Sequence, residues 1–213
     1  LTSDHGEEFL DHGYVSHKMN LYNECIHIPL IMIYPRGLPK GIRVKENVAS
    51  IDIFPTIINV CNLDTSIYRD TLKNQLMGDD LLPLINKKNK KHFLDRIIFS
   101  SDSDLRQVAA IYKNHKQIKI NSKCYDKTAF FNLKSDPSES NDCFKFNKRL
   151  TNQLSAAIIR YIKSAEKLNL KTHVNKSWLN DEDKKQIQQL GYINFDEASS
   201  TNDNKLYYFL YRQ

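Results

Sequence analysis

With 213 residues, 40% of them apolar and 26% charged, the chain is long enough for one large or two small domains with a real core. Its 31 Lys and Arg against 25 Asp and Glu leave a formal charge of +6, which suits an anionic partner. The longest apolar block, IPLIMIY from Ile28 to Tyr34, is strand-sized and far short of the roughly 20 residues of a spanning helix, so no membrane span is expected.

In chain order, Leu1 to Ser3 read as the end of a strand, followed by a polar loop from Asp4 to about His17. "LYNEC" (21–25) reads as a helical turn and Ile28 to Tyr34 as a buried strand stopped by Pro35. Ser50 is a candidate N-cap for a helix with Pro55 in its first turn and Ile53, Ile57, Val60 and Cys61 on one face. "DDLLPLI" (79–85) is a short helix and "RIIFSS" (96–101) a strand. "VAAIYK", "QIKIN" and "TAFFNLK" then predict an antiparallel meander, and "SDPSESND" (135–142) a turn with helix-start chemistry. From Lys145 to Leu168, Leu150, Leu154, Ala157, Ile158, Tyr161 and Ile162 recur at helical steps. A capped helix is expected at 179–193 before a polar tail. The basic run Lys87 to Lys91 carries no interleaved aromatics, so it reads as a solvated loop and no nucleic-acid partner is expected.

The four cysteines show no metal-ribbon spacing. Cys25 and Cys61 sit in apolar segments and are expected to be buried thiols, and a Cys124–Cys143 bridge stays open. The sequon Asn175-Lys176-Ser177 is the single glycosylation signal.

The chemistry concentrates in "TSDHGEEFLDHGYVSHK". An Asp-His pair at a strand end offers a carboxylate oxygen and an imidazole nitrogen to a divalent cation, with Gly6 permitting the turn. Two ligands are too few, so further ones are required from elsewhere. His12, His17 and Lys18 add donors suited to a tetrahedral oxyanion such as sulfate or phosphate. A polar surface loop with ordinary histidines is the competing reading.

The stretch "TSDHGEEFLDHG…SHKMNLYNECIHIPLIMIYPRG" resembles the C-terminal half of the sulfatase family, in the alkaline phosphatase superfamily. Lys18, Tyr22, His27 and Pro29 occupy the spacing of the family's K-x-x-x-Y-E-x-x-x-R-x-P pattern. "VASIDIFPTIINVCNLD", "GDDLLPLI", "TAFFNLKSDPSESND" and "DEDKKQIQQLGYI" resemble later family motifs in the family's order, over about residues 1–193. The resemblance implies an α/β fold class: the C-terminal part of an alkaline-phosphatase-like sandwich (residues 1–100), then a small α+β subdomain (101–213) with an antiparallel sheet and a packed helix. It implies metal binding by Asp4 and His5, with His5 where many members have Asn. Lys18 matches the sulfate-holding lysine, His17 a histidine before the same tyrosine, and His12 a histidine of a substrate-facing loop; these three are the candidate catalytic residues, with Lys18 and His17 binding substrate. His27 departs from the usual arginine, whereas Asp52, Asp136, Pro137 and Glu139 read as structural.

By the same resemblance the metal is Ca²⁺, although His5 also suits Mn²⁺ or Zn²⁺, and the substrate is a sulfate ester such as a sulfated carbohydrate. The family's formylglycine nucleophile arises in C/S-x-P-x-R, which none of the four cysteine contexts nor any serine matches, so it is expected on a missing N-terminal half preceding Leu1. The 213-residue chain alone is therefore expected to be inactive. Extracytoplasmic localisation (periplasmic, lysosomal or secreted) follows from the resemblance only. Two other readings stay open: a phosphonate monoester or phosphodiester hydrolase or phosphoethanolamine-type transferase, which share the Asp-His pair, and a non-catalytic polyanion-binding remnant.

Overall fold

A computed structural model describes residues 1–17, 20–63, 78–86, 90–102, 105–122, 125–167 and 185. Lys18, Cys124, the sequon and all of the expected helix at 179–193 except residue 185 lie outside the described residues.

The organising element is a four-stranded antiparallel meander, β3 (Ile97–Ser101), β4 (Gln107–Tyr112), β5 (His115–Ser122) and β6 (Tyr125–Asn132), in sequential order. Register runs through Phe99↔Ala110, Ala110↔Gln117 and Gln117↔Phe130. The meander expected from "VAAIYK", "QIKIN" and "TAFFNLK" is present, and β3 joins it across the expected boundary at residue 100.

Alternation gives this sheet two apolar faces. On one, Val108, Ala110 and Phe130 meet Leu154 and Ile158 of the long helix Lys148–Lys167, with Leu150, Tyr161 and Ile162 at the margin. The i, i+4 pair Leu154 and Ile158 falls on one helical stripe, as its spacing predicts. On the other face, Ala109, Ile118, Ala129 and Phe131 meet Leu21, Tyr22 and Ile26. The sheet thus carries a helix on one side and the N-terminal segment on the other.

That segment has little regular structure. A two-residue hairpin pairs β1 (Glu8–Phe9) with β2 (Val15–Ser16), and α1 spans Asn23–Ile26. The strand expected over Ile28 to Tyr34 is reduced to one antiparallel bridge, Thr2↔Leu30. Its apolar side chains are only partly covered among the described residues: Leu30 packs against Leu81, Leu84 and Phe93, whereas Ile31 is 53% and Ile33 84% exposed. A strand reads as continuous apolar sequence when neighbours flank both faces and edges, and here only residue 1 bonds across, Ile31 N–H to Leu1 O at 2.8 Å.

Next comes a 3₁₀ turn, Ser50–Asp52, running into α2 (Ile53–Val60). Ser50 does not cap it; Asp52 does the equivalent work by accepting Ala49 N–H at 2.7 Å. The expected apolar face is also displaced, since the buried residue of α2 is Thr56 while Ile57 is exposed. Thr56 is drawn in by two hydrogen bonds, to Asp52 O (2.6 Å) and from Leu81 N–H (2.9 Å). Cys61, expected buried, is exposed at the helix C-cap, whereas Cys25 is buried as expected. α3 (Leu82–Ile85) matches the expected short helix, and α4 (Lys90–Asp95) contains the end of the lysine run. The helix Lys148–Lys167 is α5.

Asp52 is structural, as expected. Fully buried, it receives Arg96 bidentately (2.9 and 2.7 Å) and Asp79 N–H at 2.9 Å, fastening α2 to the base of β3.

Candidate functional site

The loop from Asp4 to His17 is built around Glu8, a carboxylate with no solvent exposure. Its Oε1 accepts the backbone N–H of His12 at 2.7 Å and of Tyr14 at 3.2 Å, and its Oε2 accepts the Asn20 amide. Three donors converging on one buried carboxylate fix the loop around it. Leu10, Gly13 and Ser16 adopt positive φ (74°, 88° and 86°), which lets the hairpin close tightly enough to aim two N–H groups at one oxygen.

Gly6 acts by space, not by an unusual φ. A Cβ there would lie 1.9 Å from Glu24 O, and Gly6 N–H donates to Cys25 O at 2.8 Å, so the loop presses flat against α1.

Around this frame stand the histidines. His5 and His17 stack with ring centroids 3.7 Å apart. His17 Nδ1 lies 3.2 Å from Glu7 Oε2, leaving a buried Nε2 with no hydrogen-bond partner among the described residues. His5, Glu7 and His17 each offer a donor atom, all within 4.8 Å of one another. Asp4 is more remote: it is exposed, its Oδ1 accepts His5 N–H at 3.0 Å, and its Oδ2 is 3.5 Å from His5 Nε2. His12 lies apart, stacked on Tyr22 at 3.6 Å and 4°, with Nδ1 3.6 Å from Glu24 Oε2.

Two imidazoles and a carboxylate fit a borderline cation such as Zn²⁺ or Mn²⁺ better than Ca²⁺, which takes oxygen ligands. Asp4, His5 and His17 also border a groove of about 1210 Å³ that runs along the loop towards Arg106 and Gln107. Of the expected site residues, His5 and His17 are brought together, Asp4 borders them, His12 is tied to Glu8 outside that group, and Lys18 is not described.

Sequence reasoning missed Glu7, Glu8, Asn20 and Glu24 as organisers. Glu8 had one faint signal, an acid in a two-residue strand flanked by turn residues. Of Asp136, Pro137 and Glu139, expected to be structural, Asp136 fixes the turn by accepting Ser140 N–H and Asn141 N–H (3.2 and 2.9 Å), while Glu139 reaches away to Asn23 and Lys116. Those bonds, the Asn141 amide first, hold the Asp136 carboxyl below its ordinary pKa. Burial pushes the Cys25 thiol up to about 11, so it carries no thiolate at neutral pH and is no nucleophile.

The fold is that of solved sulfatase structures. BT4656, solved in complex with its substrate D-glucosamine-2-N,6-O-disulfate, superposes with a TM-score of 0.58 at 19% identity, over 81% of this chain and 35% of that one. BT1596, a 2-O GAG sulfatase, gives 0.54 at 17% identity, over 78% and 36%. Residues 10–167 match the family model N-sulphoglucosamine sulphohydrolase, C-terminal, and the chain belongs to this sulfatase family. Human arylsulfatase K is 31% identical over 155 residues, 68% of this chain and 27% of that protein. Human steryl-sulfatase is 28% identical over 131 residues, 62% and 20%. The chain therefore spans about a quarter of the length of the curated relatives it matches.

Proposed function

We propose that this chain supplies one wall of the active site of a metal-dependent sulfuric ester hydrolase, holding a divalent cation and the sulfate group while the formylglycine nucleophile comes from a preceding catalytic half. The observation that carries the reading is the convergence of His5, Glu7 and His17 on one loop organised by a buried carboxylate. His5 and His17 would hold the cation with Glu7, and Asp4 stands next to them as a further oxygen donor. Such a cation neutralises sulfate oxygens when bound.

The chain's own residues supply the rest. Glu7 fixes the orientation of His17, and its buried Nε2 is left for an anion oxygen or the cation. Glu24 and the Tyr22 ring hold His12 in place, so it can give a proton to a leaving alkoxide. Lys18, by its place in the motif, acts as a point charge on the sulfate. The 1-to-100 and 101-to-213 division serves this arrangement, with the small sheet supporting the site loop. A sulfated sugar is the substrate class that the solved neighbours favour, and an extracytoplasmic setting follows from that class; no helix among the described residues is long and apolar enough to cross a membrane.

A titration and a turnover assay test this. Isothermal titration of the purified chain with Zn²⁺, Mn²⁺ and Ca²⁺ is expected to show one site, abolished in both His5→Ala and His17→Ala. An aryl sulfate is expected to be untouched by the chain alone and hydrolysed once a catalytic half is joined to it. Turnover of a phosphonate ester in preference to the sulfate would overturn the sulfate assignment, and metal binding unaffected by either histidine would overturn the site.

A further inference from the structure

The largest fully buried side chain among the described residues is a lysine, and it plays no part in the chemistry above. Lys116 projects from β5 into the sheet face that carries the N-terminal segment. Its Nζ donates to Leu21 O and Asn23 Oδ1, both at 3.0 Å, and forms an ion pair with Glu139 Oε1 at 2.6 Å. Glu139 is enclosed to the same degree, and its Oε2 accepts Asn23 N–H at 2.6 Å. The pair grips residues 21–23 from both ends.

Such a pair is an expensive way to hold a fold, because apolar side chains of similar volume fill a core at no loss of stability. Burial pushes the Lys116 ammonium pKa down and the Glu139 carboxyl pKa up, each against the pull of its partner's charge. Packing does not call for it either: Ile118 and Phe131 already face Leu21 on this side of the sheet. Glu139 also sits at φ 53°, a left-handed conformation in which glycine would be more comfortable. Two separate costs are borne at one residue.

What the grip controls is visible in the next residues. Tyr22, between the two held positions, stacks on His12. Glu24 faces His12 Nδ1, and Cys25 O holds the N–H of Gly6, beside His5. We infer that Lys116 and Glu139 are positioning residues, a buried clamp by which the C-terminal sheet sets the placement of residues 21–25 and hence of His12 and His5 in the candidate site. Its functional importance rests on the sulfatase reading, but its geometry does not.

The experiment is proton NMR of the 213-residue chain, reading the His12 ring protons, which the stacked Tyr22 ring shifts upfield; His12→Gln assigns them. Three variants are compared with the parent: Glu139→Gly, which relieves the backbone and removes the carboxylate, Glu139→Gln, and Lys116→Met combined with Glu139→Gln, which leaves no unpaired charge. The expected result is a loss of the upfield displacement in Glu139→Gly and in the double variant, with the sheet's amide signals retained, and partial recovery in Glu139→Gln. Retention of the displacement in Glu139→Gly and the double variant overturns the clamp. So does its loss only together with the sheet signals in every variant, since the pair is then merely structural. No metal or ester enters the measurement, so it fails or succeeds independently of the sulfatase assignment.

Discussion

The sheet with its helix and the first sixty residues are held together in opposite ways. In the former most of the buried residues are apolar, Ala109, Ala110, Leu154 and Ile158 among them, with Lys116, Gln117 and Thr151 as polar exceptions, and a continuous ladder satisfies the backbone. In the latter the fully buried residues are polar, Glu8, Asp52 and Thr56, while Leu1, Phe9, Ile33 and Phe54 face outward. One region is stabilised by area removed from water and the other by a few carboxylates that gather backbone N–H groups. The first should yield gradually to changes of volume, and the second should fail at single atoms.

The largest effect is expected in the sheet core. Phe130→Ala removes a fully buried ring between β6 and α5 and should cost about 3–5 kcal/mol, read as a fall in the urea midpoint by far-UV circular dichroism. Leu154→Met, which conserves volume, should cost less than about 1.5 kcal/mol. If both substitutions cost the same, the area argument for this region is wrong. Next in size is Asp52→Ala, which strands Arg96 with only Asp79 to pair with; breaking a buried pair costs about 3–5 kcal/mol, and the surviving Arg96–Asp79 contact at 2.7 Å places the loss at the low end. A double-mutant cycle with Arg96→Met measures that coupling.

This contrast also explains what was legible in the sequence. The meander, α5 and α3 were readable because period-2 and period-3.6 apolar patterns report burial directly. The strand over Ile28 to Tyr34 was misread for the same reason: its pattern asks for neighbours that the described residues supply only in part, at Leu30. Cys61 and the face of α2 failed likewise, because Thr56 is buried through hydrogen bonds that hydrophobicity does not encode. At the site, motif order brought out Asp4, His5, His12 and His17. Glu8, Glu24 and Lys116 stayed hidden because a buried charge is defined by partners up to 95 residues away.

A middle-sized effect sharpens the second half of the comparison. Glu8→Ala should leave the N–H groups of His12 and Tyr14 and the Asn20 amide without their acceptor, costing about 1–3 kcal/mol locally. Amide hydrogen exchange should accelerate at His12 and Tyr14 while Ala109 and Ala110 keep their protection. Equal acceleration in both regions would mean that they unfold as one unit.

The smallest effect concerns acid. Asp79 is pushed up by burial, but hydrogen bonds from His92 and Arg96 outweigh this and hold its carboxyl pKa below the ordinary value of 3.8. In the folded chain it therefore binds its proton at lower pH than in the unfolded chain. Its contribution is complete well above pH 3.8 and is lost as pH falls through the depressed folded value. The side chain is 37% exposed, so solvent screening keeps the amount under about 1 kcal/mol. Asp79→Asn should flatten the stability-against-pH curve below pH 3.8 and leave it unchanged at neutral pH apart from a constant offset. The carboxylate joins α4 to Arg96 at the seam between the two regions, with His92 at 3.0 Å and Arg96 at 2.7 Å. Acid should therefore loosen that seam before it touches the sheet, and amide exchange at Arg96 should rise in acid ahead of exchange at Ala110.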